Sequence, residues 1–232
     1  MPAFAAYTEI KAPPIGEKSH IDILNDIYPG LFSPSGDDLG NGLSSEFTNG
    51  LGVTAYRIDD YDAGQEGLGT KIDVLTGGPG DMDQLWSGSV VTITAMETQA
   101  EFNQTLGWNS GDGTNFSKIL DWGQSPVEAF ELENEFLWAD KAFNRWETSI
   151  WWSNMADNVG GSDHMVTYKV EGLSTPGYLN TVVWLLFWED STPCRWDQDY
   201  NDFVVEIKTI PEPATVCLLG LGGLILVCRG RR

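Results

Sequence analysis

Runs of β-branched and aromatic residues recur along this chain, each bounded by glycine, proline, asparagine or aspartate. They predict strands at residues 53–58, 71–75, 90–95, 135–138, 148–152, 165–170, 181–188 and 203–207. Within 90–95, Val91, Ile93 and Ala95 share one face while Thr92 and Thr94 share the other, the alternation of a sheet with one wet side. Residues 181–188 (TVVWLLFW) are nearly continuous in apolar side chains, so they predict a central strand covered on both faces. Gly77, Gly78, Pro79 and Gly80 are a strong turn signal. The stretch 124–137 reads equally as a short helix. The pattern predicts an all-β fold, a β-sandwich of jelly-roll type over 53–209. Residues 1–52, rich in Pro, Gly, Ser and Asp, predict irregular structure with short strands and one helical turn at 21–24.

The periodicity changes at the C-terminus. Residues 210–232 hold Pro211-Glu212-Pro213, then an apolar run at 214–228, then Arg229, Arg231 and Arg232. A run apolar on every side has no face for water, so it predicts a single transmembrane helix over 214–228. At ~1.5 Å per residue it reaches about 22 Å, short of a hydrocarbon core of roughly 30 Å. The arginines mark the cytoplasmic side and leave the bulk of the chain outside. This order closely resembles the PEP-CTERM sorting tail, a segment type that also carries the name of the C-terminal region of ice-binding proteins. The second label implies no ice binding. The resemblance implies recognition at Pro211, Glu212 and Pro213 by an exosortase, a membrane-embedded protease-transpeptidase of Gram-negative bacteria. The expected location is anchored in the inner membrane before processing, then the cell surface or extracellular matrix.

Charge narrows the partners. The chain carries 34 acidic against 13 basic residues, a formal net charge of −21. Such a surface repels nucleic acid and anionic lipid, which excludes both as partners of the folded part. Ten Trp, seven Tyr and ten Phe supply core material that disordered chains lack. Only Cys194 lies outside the tail, so the folded part closes no internal disulfide. The first ten residues lack a basic region followed by an apolar run, yet Ala3-Phe4-Ala5 resembles the end of a signal peptide, and residues 1–6 read as a remnant of one.

The densest candidate chemistry is 189–202, EDSTPCRWDQDYND. Extending the last strand backwards would place Asp197, Asp199 and Asn201 on the face of Phe203, Val205 and Ile207, a costly burial of charge. The segment is therefore predicted as a loop at the sandwich rim. Oxygen donors at alternate positions, with Glu189 and Asp190 beside them, suit calcium better than zinc. Asp197-x-Asp199-x-Asn201 begins like an EF-hand loop, but Asp202 stands where glycine is needed and Lys208 where the bidentate glutamate is needed, so an EF-hand is excluded. The competing reading is a loop whose Asp and Asn side chains cap backbone amides. Asp59, Asp60 and Asp62, in the glycine-rich stretch 59–69, offer either a cation cluster or a solvated loop, and the loop is the reading taken.

The string WLLFWED…DQDYNDFVVEI resembles the C-terminal signature of DUF4114-type domains. Residues 102–108 (FNQTLGW) resemble an aromatic–glycine element of those domains, and 160–165 (GGSDHM) a Gly-Asp-His segment. The resemblance spans 102–207 with gaps, and 124–153 fit no part of it. It implies a β-sandwich surface module without established catalysis, with Asp163, Asp199, Asn201 and Asp202 at its characteristic polar positions. The candidate metal ligands are thus Asp163, Glu189, Asp190, Asp197, Asp199, Asn201 and Asp202.

No GxSxG, HExxH, Walker A or dinucleotide motif is present, and His20 and His164 are too few for a histidine-based centre. Tryptophan is seldom fully buried, and ten are more than one core easily absorbs. Trp108, Trp122, Trp151, Trp152 and Trp196 are the candidates for stacking on sugar rings, with Trp108, Trp151 and Trp196 put first. The expectation is a non-enzymatic exported surface or biofilm-matrix protein. The alternatives are a module binding extracellular polysaccharide and, third, a secreted glycoside hydrolase using two of the many carboxylates.

Overall fold

The computed structural model describes residues 5–40, 43–58, 61–62, 72–75, 83–100, 102–110, 115–132, 135–179, 181–191 and 197–210. Two sheets dominate. In chain order their strands are β1 (Phe32–Pro34), β2 (Glu46–Asn49), β3 (Thr54–Arg57), β4 (Val90–Thr98), β5 (Asn103–Asn109), β6 (Ser117–Asp121), β7 (Val127–Glu131), β8 (Leu137–Phe143), β9 (Thr148–Trp152), β10 (Met165–Glu171), β11 (Val183–Trp188) and β12 (Phe203–Thr209). The larger sheet runs β7-β4-β12-β11-β10-β3-β2-β1 and the smaller β6-β5-β8-β9. Every pairing in both is antiparallel.

The position of β11 accounts for its sequence. Trp184, Leu186 and Trp188 join the core between the sheets, with Val91, Ile93, Val205 and Ile207 from the larger sheet and Leu106, Trp138 and Trp151 from the smaller. Val183, Leu185 and Phe187 point the other way, into a second core under α1 (His20–Ile27). All six residues are buried, as a strand covered on both faces requires. The helix begins at a capping box, in which Ser19 Oγ accepts the Asp22 amide and the Asp22 carboxylate accepts the Ser19 amide. It buries Ile23 and Leu24 beside Tyr28, Phe32 and Phe47. Tyr28 Oη also donates to the buried Glu206 at 2.8 Å, tying the helix end to β12.

Three expectations are corrected. The fold is sandwich-like, but its strands divide eight and four, which is not a jelly roll of eight strands. The stretch 124–137, open to a helical reading, supplies β7 and the start of β8. Before residue 53, α1, β1 and β2 pack with the larger sheet and its outer core. Finally, no helix among the described residues is long and apolar enough to cross a membrane. At eight residues α1 reaches about 12 Å, against roughly 30 Å of hydrocarbon. The helix expected over 214–228, on which inner-membrane anchoring rested, lies outside the described residues, and its fifteen residues fall below the usual span length of ~17–25.

Candidate functional site

One end of the sandwich gathers carboxylates from several elements. The alternation of β11 carries past its last residue: the Glu189 amide donates to His164 O at 3.0 Å, so the ladder with β10 continues one step further. Glu189 and Asp190 therefore point to opposite faces. Asp190 turns between the sheets, where Gln104 Nε2 of β5 donates to its Oδ2 at 2.5 Å. Glu189 turns towards the loop before β12, where its Oε2 accepts the Gln198 amide at 3.0 Å. Asp202 Oδ2 accepts the Asp190 amide at 2.9 Å and links the two sides.

The loop 197–202 alternates its backbone. Gln198 and Tyr200 take φ of 62° and 55°, the left-handed region that costs a non-glycine residue roughly 1–2 kcal/mol. Three anchors hold it. Tyr200 Oη donates to Asp163 O at 3.0 Å, Lys11 N donates to Gln198 O at 2.8 Å, and His20 Nε2 lies 2.8 Å from Asp199 O. The N-terminal segment thus lies over the loop. Asp199 and Asn201 are buried with Glu189 and Asp190, so this rim loop is covered, not solvated.

Two groups result, each with one oxygen per residue within 4.8 Å of the others: Glu189, Asp197 and Asp202, and Glu17, Asp197 and Asp199. Either could hold a metal ion, and Asp197 belongs to both. The donors are all oxygen, the set that suits a hard cation. Among the described residues, no ion pair involves any of these five carboxylates or Asp190. Burial, then repulsion from Asp202, Asp197 and Asp199, pushes Glu189 up to about 10. Burial, reinforced by the neighbouring charges, pushes Asp199 and Asp202 up to about 8 and Asp190 up to about 6.

Other sequence-predicted ligands stand apart. Asp163 accepts from Thr8 Oγ1 at 2.5 Å and from the Met165 amide at 3.2 Å, and joins neither group. Asn201 Nδ2 donates to Asp199 Oδ2 and to Lys18 O, at 2.9 and 2.8 Å. Trp151 is buried, stacked on His164 at 3.7 Å between centroids, and its indole N–H donates to Asp190 O at 2.8 Å. Trp108 packs edge-on against Phe130 and Phe136. Trp151 offers no face to a sugar, and Trp108 is half-buried. Trp146 and Trp122, at 80% and 42% exposure, are the open tryptophans among the described residues. Trp196 and the tail residues Pro211, Glu212, Pro213, Arg229, Arg231 and Arg232 lie outside the described residues. Both histidines serve the scaffold. Burial holds His20 at about 3 and His164 at about 4, and each bridges buried backbone and hydroxyl groups.

Residues 209–232 match the PEP-CTERM protein-sorting motif. The motif implies an exosortase as partner and an exported, surface or extracellular destination. The matched residues lie almost wholly outside the described residues. No curated protein and no solved structure matches the chain.

Glu17 was missed from sequence. It sits in a proline- and glycine-rich stretch with no local pattern, and only the covering of the loop by the N-terminal segment brings it to Asp197. Gln104 was assigned no role either: 102–108 stood out only for their aromatic–glycine resemblance, and no strand was anticipated there.

Proposed function

We propose that this chain is a non-enzymatic surface or matrix protein, delivered by its PEP-CTERM tail, whose sandwich is stabilised by calcium at the acidic rim. The observation that carries this is the set Glu17, Glu189, Asp197, Asp199 and Asp202, drawn together with no basic partner among the described residues. Gathering like charges without compensation is costly, and a hard divalent cation offsets that cost through the oxygens already present. The proposal is tested by thermal melts of the protein in EDTA and in saturating calcium. A clear rise in melting temperature with calcium, lost in Asp197→Asn, is the expected result. Identical melts in the two conditions would sink the calcium reading.

A second reading, binding of extracellular polysaccharide, is favoured by the exposed ring of Trp146. The guanidinium of Arg145 lies 4.5 Å from its centroid, a cation–π contact that covers one face of the ring. A glycan array with and without calcium separates the two: binding lost in Trp146→Ala supports the second reading, and silence on all glycans removes it.

A further inference from the structure

The sorting motif begins where the fold ends. The Ile210 amide donates to Val90 O at 2.9 Å, and Pro211 follows directly. Thr209, the residue before, is held harder. Its amide donates to Val182 O at 3.0 Å, and its Oγ1 accepts the Val182 amide at 2.8 Å. Thr209 is buried, and β12 lies inside the larger sheet, between β4 and β11. Peeling Thr209 and Ile210 away would break hydrogen bonds to the segments on both sides, each costly to leave unmade. The motif is therefore presented from a fixed point. At no more than ~3.6 Å per residue, Pro213 lies within about 11 Å of Ile210.

Apolar surface surrounds that point. Val90, which holds Ile210, is 38% exposed, and Leu179, three residues before Val182, is 57% exposed. Beside them, Leu173, Tyr178, Thr181 and Val182 line a cavity of about 300 Å³. The loop that carries Leu179 is fixed: Thr181 Oγ1 donates to Tyr178 O at 2.7 Å, and Tyr178 Oη to Glu206 Oε2 at 3.1 Å. This end lies away from the acidic rim, since β11 runs from Val183 here to Trp188, next to Glu189. A peptidase must grip the residues beside the bond it cuts, so an enzyme acting at 211–213 comes against this end of the sandwich. We infer that the surface around Val90, Leu179 and Ile210 is a docking site for the exosortase that acts on the motif, and that it meets an apolar patch beside the enzyme's cleft. The inference rests on the sorting reading of the tail and is independent of calcium. Docking sets the motif at the cleft, and only a chain with β12 in place presents surface and motif together.

The test follows conversion of the full chain to its processed form in the producing cell, by western blotting and fractionation. Val90→Lys combined with Leu179→Glu leaves the net charge unchanged and alters only exposed side chains, so the melting temperature should match the wild type. Conversion should slow about tenfold, the order expected when two partly exposed apolar side chains lose their burial at an interface. Val90→Thr with Leu179→Gln, a milder pair that keeps shape and adds no charge, should slow it less. A flexible Gly-Ser linker of about ten residues between Ile210 and Pro211 frees the motif from the sandwich, so in that chain neither pair should change the rate. Wild-type conversion of both substituted chains, with delivery still blocked when 211–213 are replaced by alanine, overturns the docking site and leaves the sorting reading standing. Equal slowing with and without the linker also overturns it, because the effect then lies outside the contact. Normal delivery of the alanine chain overturns the sorting reading, and this inference with it.

Discussion

The acidic end of the sandwich makes stability depend on pH in opposite senses with and without calcium. In the metal-free protein Asp199 and Asp202 titrate at about 8 and Glu189 at about 10, against ordinary values of 3.8 and 4.5. At neutral pH these groups hold protons in the folded chain and none in the unfolded one. Their folded values are raised, so their contribution is fully present below the ordinary carboxylate range and is lost as pH rises through 8 towards 10. Each such proton is worth ~1.4 kcal/mol per pH unit. Mutual repulsion spreads the three losses over several units, so we take about half the full slope, ~2 kcal/mol per unit between about pH 7 and 9. For a chain of this size that is roughly 4–8 °C in melting temperature per unit. The histidines act the other way. His20 and His164 are held neutral at about 3 and about 4, so their contribution is present above 6.5 and lost as pH falls, which flattens the acid side. Bound calcium requires ionised ligands, so the folded state then holds no excess protons and the alkaline slope disappears. Melting curves followed by circular dichroism in EDTA and in saturating calcium should converge near pH 6 and separate steadily towards pH 9. An EDTA curve that rises from pH 7 to 9, or two parallel curves, refutes the reasoning.

Three further outcomes follow. Trp151→Phe keeps a ring against His164 but loses the indole donor to Asp190 O, and should cost about 1–2 kcal/mol in urea unfolding. Gly107→Ala would drive a methyl group into the Phe116 ring and the Ser117 carbonyl where β5 meets β6, and should cost about 1–3 kcal/mol by the same measurement. Replacing Pro211, Glu212 and Pro213 together by alanine should leave the melting temperature unchanged and abolish surface delivery. Cell fractionation and western blotting read the second effect, and normal surface delivery would overturn the role of the motif.

Those parts of the fold that follow from side-chain period were legible. Residues 148–152 form β9 with the expected bounds, and the continuous apolar run of β11 declared a strand covered on both sides. What escaped was set by tertiary contact. β5 reads NQTLGWN, with Gln104 and Thr105 where a core strand ordinarily has apolar residues, because these two face the acidic end and Asp121. β7, VEAFE, is an edge strand with two glutamates, and nothing in its composition separates it from a helix turn. The strand expected at 135–138 runs instead over Leu137–Phe143, through the buried Asp140. The loop 197–202 was recognised as non-strand for a sound reason, the cost of charge on a core face. Its covering was not legible, because the N-terminal segment, weak in local pattern, folds back over it through Lys11, Lys18 and His20.

The address and the acidic end are physically connected on the proposed reading. Extracellular modules bind calcium with dissociation constants of about 10⁻⁴–10⁻³ M. A site of that strength stays empty where free calcium is scarce and fills where it is plentiful. At about ten times its dissociation constant the ion adds ~1.4 kcal/mol per site, and it also removes the mutual repulsion that raises Glu189, Asp199 and Asp202. The sorting tail directs the chain towards the second environment. Many exported domains use disulfides to lock their structure there, but Cys194 is the one cysteine ahead of residue 209 and has no partner within the folded part. A cation at the acidic rim would tie the end of β11 to the loop before β12 through Glu189, Asp197 and Asp202 in place of that covalent link, and would do so only after export.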